Sequence, residues 1–206
     1  HNWYEIGADL MVKRQTAEGK WNYNRGGRSD VVGTSFCLLF LSRGRAPIMM
    51  SKLQYETIDA RGNKSEGLWN QRPREVANLT TWVGRRIEQD LNWQVVNLNA
   101  PVDELAETPI IYMSGSAAFN LSEEHREKLK TYIENGGMVL GNADGGRPAF
   151  TEAFKKLGES MFPGYKFRDL PERHPIYTEQ QFQRSRWRTR PPVQGLSNGA
   201  RELMII

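Results

Sequence analysis

Met138-Val139-Leu140-Gly141-Asn142-Ala143-Asp144-Gly145-Gly146 reads as a short buried strand breaking into a turn rich in Gly and Asn/Asp. A second apolar run, Pro109-Ile110-Ile111-Tyr112-Met113, ends in Ser114-Gly115-Ser116. It is continuous rather than alternating, as expected of a strand buried on both faces. Between the two lies a helix. Ser122 is placed to cap it, Glu123 and Glu124 sit in its first turn where the helix dipole favours acids, and Leu129, Tyr132 and Ile133 make its core face. Asn135-Gly136-Gly137 ends it. Another helix, Phe150 to Met161, follows the glycine turn.

Working outward, Pro73 suits a helix start, and Val76, Leu79, Val83 and Ile87 make an apolar stripe. Trp93 to Leu98 reads as a strand ending before the turn at Pro101. Strands alternating with helices predict an α/β domain with a doubly wound, mainly parallel sheet. This domain is expected over 73–206 and truncated at its C-terminal end. Residues 56–72 read as a polar, glycine-rich linker with Trp69 as its anchor.

Residues 1–55 read as a helical hairpin. Ile6, Leu10 and their neighbours form an imperfect stripe ending near Arg14. A turn-rich loop follows, through Gly26 and Gly27. Ser29 or Asp30 then caps a helix from Val31 to Arg43, and Pro47 prevents its continuation. The segment Gln15-Thr16-Ala17-Glu18-Gly19-Lys20-Trp21 fits Gln-x-x-x-Gly-x-Trp, and Gly7 and Ala8 suit the same pattern. It resembles the repeats of squalene-cyclase and prenyltransferase-like α/α toroids, although Ile6 and Leu10 depart from them. The resemblance implies a structural role for the Gln and the Trp, tying neighbouring helices, and marks the hairpin as the last repeat of a toroid. A single repeat cannot bury its apolar face alone.

The chain has 206 residues, 38% hydrophobic and 25% charged, an ordinary globular composition. No run approaches the ~18 apolar residues of a membrane span. The chain opens in mid-helix and stops inside the strand-like Glu202 to Ile206, so it reads as a fragment of a longer protein, an exported or membrane-anchored one being an option. Its partners are then other domains of that polypeptide, or a second copy. The single cysteine, Cys37, lies in an apolar run and reads as a core residue; it permits no internal disulfide. The formal charge of +4 does not demand a nucleic-acid partner. Arg184, Arg186, Arg188 and Arg190 alternate around Trp187, a pattern that suits either a phosphate-binding strip or a solvated edge, and the solvated edge is preferred.

In open α/β sheets ligands bind where strands end. That rule singles out Ser114, Gly115 and Ser116 on one strand end, and Asn142, Asp144, Gly145 and Arg147 on the next. Asp144 offers a carboxylate, Arg147 a bidentate anion clamp, and Gly145-Gly146 backbone N–H groups. The plainer alternative is a tight turn with Asp144 as cap. His174, held extended before Pro175, is a candidate base to work with Asp144 or Ser116 in a hydrolase. No metal-ligand spacing is present, and no cofactor is implied.

Ile110 through Gly146, with Leu170 to Tyr177 downstream, resembles an uncharacterised bacterial domain family with a class I glutamine-amidotransferase-like, flavodoxin-type fold that sits behind toroid repeats. Class I amidotransferases use a cysteine, a histidine and a glutamate. Here Gly141-x-Ala143-x-Gly145 has the outline of the nucleophile elbow with alanine at the attacking position, and Ile176 follows His174-Pro175 where the family has an acid. What the resemblance implies, with those departures, is a non-catalytic binding or assembly module without glutaminase activity.

Overall fold

The computed structural model describes residues 3–22, 30–43, 46–179 and 188–206. The chain divides into two units, His1–Ile48 with Asn78–Asn92, and Met49–Ala77 with Trp93–Ile206.

The first unit contains helices α1 (Trp3–Arg14) and α2 (Asp30–Arg43). Tyr4 stacks on Phe40 with ring centroids 5.4 Å apart. Gly7 lets that ring approach, since a Cβ there would lie 2.5 Å from it. Trp21 is buried; its indole Nε1–H donates to the Met11 carbonyl at 2.7 Å, and its backbone N–H to Thr34 Oγ1 at 3.1 Å. It thereby ties α1 to α2. Gln15 donates to the Gly19 carbonyl and closes the loop leaving α1.

Two expectations fail here. The Ile6–Leu10 stripe is not buried, with Ile6 60% exposed, and Cys37 is half-buried rather than in a core. Helix α2 carries its apolar residues without a preferred side. Phe36, Leu38 and Leu39 stay exposed. Ser29 and the glycines at 26 and 27 lie outside the described residues.

Most of the second unit is a seven-stranded, mostly parallel sheet. From β1 onward the elements run β1 (Ile48–Gln54), β2 (Glu56–Ile58), β3 (Lys64–Glu66), α3 (Glu75–Ile87, which belongs to the first unit from Asn78 on), β4 (Asn92–Asn97), α4 (Val102–Leu105) and β5 (Ile110–Gly115). Then come α5 (Glu123–Glu134), β6 (Met138–Ala143), a 3-10 turn (Asp144–Gly146), α6 (Pro148–Met161), β7 (Phe167–Asp169), α7 (Pro175–Thr178), β8 (Gln194–Ser197) and β9 (Glu202–Ile205). The strand order is β4-β1-β5-β6-β9-β8-β7. The pairs β1/β5, β5/β6 and β6/β9 are parallel, whereas β8 and β7 join antiparallel. The chain is thus α/β with N-terminal helices.

Local chemistry accounts for the central elements. Ser122 Oγ accepts the His125 N–H and caps α5, and Gly136, at φ 109°, turns the chain into β6. Residues 48–54, which the sequence leaves in the helical part, form β1 inside the sheet. Ser51 and Lys52 disguise it, two polar residues that are nonetheless buried. Ser51 Oγ is 2.9 Å from Thr108 Oγ1, and Lys52 has an acidic partner. The expected linker likewise contains a small hairpin, β2 paired with β3, turned by Gly62 and the Asp59 carboxylate, which accepts from the Arg61 and Asn63 backbones.

One face of the sheet is built so that aromatic rings lie directly on strand backbone. A Cβ on Gly141 would stand 2.8 Å from the Phe154 ring, and one on Gly137 only 2.2 Å from Tyr132. Phe150, Phe154, Tyr132, Ile111, Met113 and Val139 are all buried in this core. Gly141→Ala is therefore expected to overpack it and lower the unfolding free energy by about 1–3 kcal/mol, read as a lower urea midpoint. Gly164→Ala, whose methyl would meet nothing within 4 Å, should leave the midpoint unchanged or raise it.

Candidate functional site

The parallel register brings four polar side chains to one face near the carboxyl ends of the central strands. Lys52 lies level with Tyr112, and Ser114 with Asn142; Tyr112 and Ser114, two apart, share a face. Glu75, the first residue of α3, closes the group. Its Oε1 receives Lys52 Nζ at 2.9 Å and Ser114 Oγ at 2.8 Å, and its Oε2 receives the Tyr112 hydroxyl at 2.9 Å. Tyr112 in turn accepts from Asn142 Nδ2 at 2.9 Å.

Lys52 is 1% exposed, so its ammonium depends wholly on these partners. Besides Glu75 it donates to Asn70 Oδ1 and the Arg72 carbonyl, both at 3.1 Å, which uses all three of its protons. It also sits 5.7 Å from the Trp69 ring centre, a cation–π distance. Burial, and after it the Glu75 carboxylate, holds the Tyr112 phenol well above its ordinary range, so it serves as a hydrogen-bond donor and not as a phenolate. Ser114 Oγ lies 3.1 Å from the Trp69 carbonyl as well, but has one proton to give. Tyr55 donates to the Ser114 carbonyl at 3.2 Å and fixes the end of β5.

Among the expected residues, Ser114, Asn142 and Asp144 come together at this rim. Gly115 is buried beneath it, where a Cβ would meet the Tyr55 hydroxyl at 2.5 Å. Ser116 is half-buried one position further along, and its side chain forms no hydrogen bond among the described residues. Asp144 does not cap α6; it pairs with Arg72. Arg147 is exposed at the N-cap of α6 and takes no part in that pair. Gly145 and Gly146 adopt φ of 64° and 66°, whereas Ala143 closes β6 with ordinary φ −72°. The left-handed kink therefore falls after the alanine, not on it.

His174 is placed elsewhere. Its Nδ1 accepts the Ile176 N–H at 3.2 Å, and its Nε2 is 3.8 Å from Glu202 Oε1, which also receives Arg168. Since Val139 pairs with Met204, Glu202 is level with Gly137, five positions before Asn142. That is about 16 Å of strand at ~3.3 Å per residue. The expected partnership of His174 with Asp144 or Ser116 does not form. Positions 184, 186 and 187 of the arginine stretch lie outside the described residues. Arg190 pairs with Glu172 at 3.3 Å and lies over the Tyr177 ring, so one of the four arginines is engaged within the domain. Among the described residues no group of three His, Cys, Asp or Glu is placed to hold a metal, and no helix is long and apolar enough to cross a membrane.

Lys52, Glu75, Tyr112 and Arg72 escaped the sequence reading. One signal was available: a lysine among Ile48, Met49, Met50, Leu53 and Tyr55 demands an acidic partner if the segment is buried. Glu75→Gln keeps the shape but leaves that lysine without a countercharge, and is expected to cost about 3–5 kcal/mol in urea unfolding at neutral pH. Lys52→Met should cost less, because Glu75 keeps its two hydroxyl donors and is partly open to water.

Residues 50–202, about three quarters of the chain, match the model of a family described as "Domain of unknown function (DUF4159)". No curated protein matches the chain. A match of that extent, covering β1 to the start of β9 and every residue of the rim network, means that the chain belongs to the DUF4159 family.

Proposed function

We propose that this domain is a non-catalytic binding or assembly module on a doubly wound, glutamine-amidotransferase-like scaffold, serving a longer polypeptide. The order β4-β1-β5-β6-β9 supports the scaffold: with the antiparallel β7 and β8 set aside and these five strands numbered along the chain, it is 2-1-3-4-5, the flavodoxin-type order, whose ligand crevice opens between the first and third of those strands. Those strands are β1 and β5, the ones that carry Lys52, Tyr112 and Ser114.

The observation that carries the non-catalytic reading is the commitment of Glu75. Both hydroxyls that meet a carboxylate here, Ser114 and Tyr112, donate to a group that already faces a buried lysine. Both oxygens of that carboxylate already hold donors, and Ser114 is itself buried. Ala143 at the end of β6 brings no attacking atom. What remains open to solvent is Asn142, Gly145, Gly146 and Arg147 with the half-buried Ser116, a set suited to a small anion or polyol. Trp21 bridging α1 and α2 supports reading the N-terminal helices as a toroid repeat. Their exposed Phe36, Leu38 and Leu39 support packing on further repeats or a second copy.

Two measurements test this reading. Glutamine, p-nitrophenyl acetate and p-nitrophenyl phosphate should be turned over equally by the wild-type chain and by Ser114→Ala and Asp144→Asn; a loss above about tenfold in either variant sinks it. In amide-resolved NMR, inorganic phosphate or glycerol should move the signals of Asn142 to Arg147 saturably.

A further inference from the structure

A second concavity lies apart from Lys52, Glu75, Tyr112 and Asn142. The β2–β3 hairpin, the ends of β1 and β4 and the first turn of α5 enclose about 330 Å³. This stands at the small end of ligand pockets, about 300–1,000 Å³. A monosaccharide fits such a space; a dinucleotide does not.

The walls are held in place before any ligand arrives. Ile58 N–H donates to the Asn120 carbonyl at 2.8 Å, and Asn120 N–H to Thr57 Oγ1 at 2.9 Å, which pins the hairpin to the segment before α5. His125, 4% exposed, is fixed through its backbone to Ser122 Oγ and through Nε2 to Asn99 Oδ1 at 3.2 Å. Preorganisation of this kind lowers the ordering cost of binding.

The lining is rich in groups that both donate and accept. Gln54, Asn97 and Asn99 bring amides, Ser65 a hydroxyl, and His125 an imidazole. Asn97 Oδ1 takes the Asn99 N–H at 3.0 Å, which leaves its amide protons for a ligand. With Nε2 donating to Asn99, His125 Nδ1 is left as an acceptor. Burial, and after it the Lys64 ammonium, keeps this imidazole below its ordinary pKa and therefore neutral at neutral pH.

The charges oppose an anion. Glu56 and Glu66 outnumber Lys64, which lies 3.7 Å from Glu56. A cation is poorly served too: Glu66 already accepts the Trp69 indole N–H at 2.8 Å, and the Tyr55 ring is covered by Phe119. We propose that this cavity binds a small neutral polyhydroxylated molecule of monosaccharide size, a site independent of the β1/β5 rim.

The test is amide-resolved NMR of the full chain titrated separately with glucose, myo-inositol, inorganic phosphate and choline. At least one of the two neutral probes should give saturable shifts at Ser65, Asn97, Asn99 and His125, with a Kd on the order of 1 mM or tighter. Ser65→Trp, which fills the cavity from an exposed strand, should weaken that binding at least about tenfold. Asn97→Ala should weaken it as well, and carries the test if the tryptophan variant does not fold. Absence of saturable shifts with both neutral probes overturns the proposal. So does equal or tighter binding of phosphate or choline at these four amides, or undiminished affinity in a folded variant. Phosphate shifts confined to Asn142–Arg147 report on the rim and leave this site to be judged by the neutral probes alone.

Discussion

A lysine ammonium with almost no access to water sets the terms for the centre of this domain. Lys52 can stay in β1 only if a carboxylate meets it, and Glu75 is that carboxylate. The pair fixes where α3 begins relative to the sheet, and through Ser114 and Tyr112 it fixes the end of β5. Asn142 then ties β6 to the same group. Three strands and a helix start thus answer to one charge. A pair of apolar side chains would make a comparable fold, but would not select one alignment of these strands as sharply. Buried ion pairs are better understood as specifying arrangement than as adding net stability.

The opposite face follows another rule. There the strands carry glycine where the helices bring rings, so α5 and α6 approach the backbone itself. Tyr132 on Gly137 and Phe154 on Gly141 are close enough that no other residue fits without displacement. The sheet is polar and bonded on the side of Lys52, dry and aromatic on the other. The polar side can therefore vary in chemistry only at its open margin, around Ser116 and Asn142 to Arg147, without disturbing the packing beneath.

Where signals are local, the sequence is legible. β5, β6, α5 and α6 follow from an apolar run, a Ser122 cap, acids in a first turn and glycines at its end, all within a few positions of one another. β1 does not, since its burial rests on Thr108 and Glu75, tens of residues away. Likewise the candidate site is half visible: Ser114, Asn142 and Asp144 stand at strand ends and can be picked out by position. Their partners Glu75 and Arg72 lie 39 and 72 residues from Ser114 and Asp144 respectively, and no spacing rule reaches that far. His174 shows the converse error. Its neighbourhood looks chemical, yet the register of β9 takes it to the other end of the strands.

The position of β9 has a consequence for how the chain assembles during synthesis. This strand leaves the ribosome after the other six described strands of the sheet, yet it occupies an interior place, with β6 on one flank and β8 on the other. Until it inserts, β6 presents an unpaired backbone edge, and the β7–β8 ribbon has nothing to dock on. Such an edge is a template for wrong pairing between nascent chains. The two halves of the sheet thus join only when β9 arrives, and exposure to aggregation through the β6 edge lasts until then.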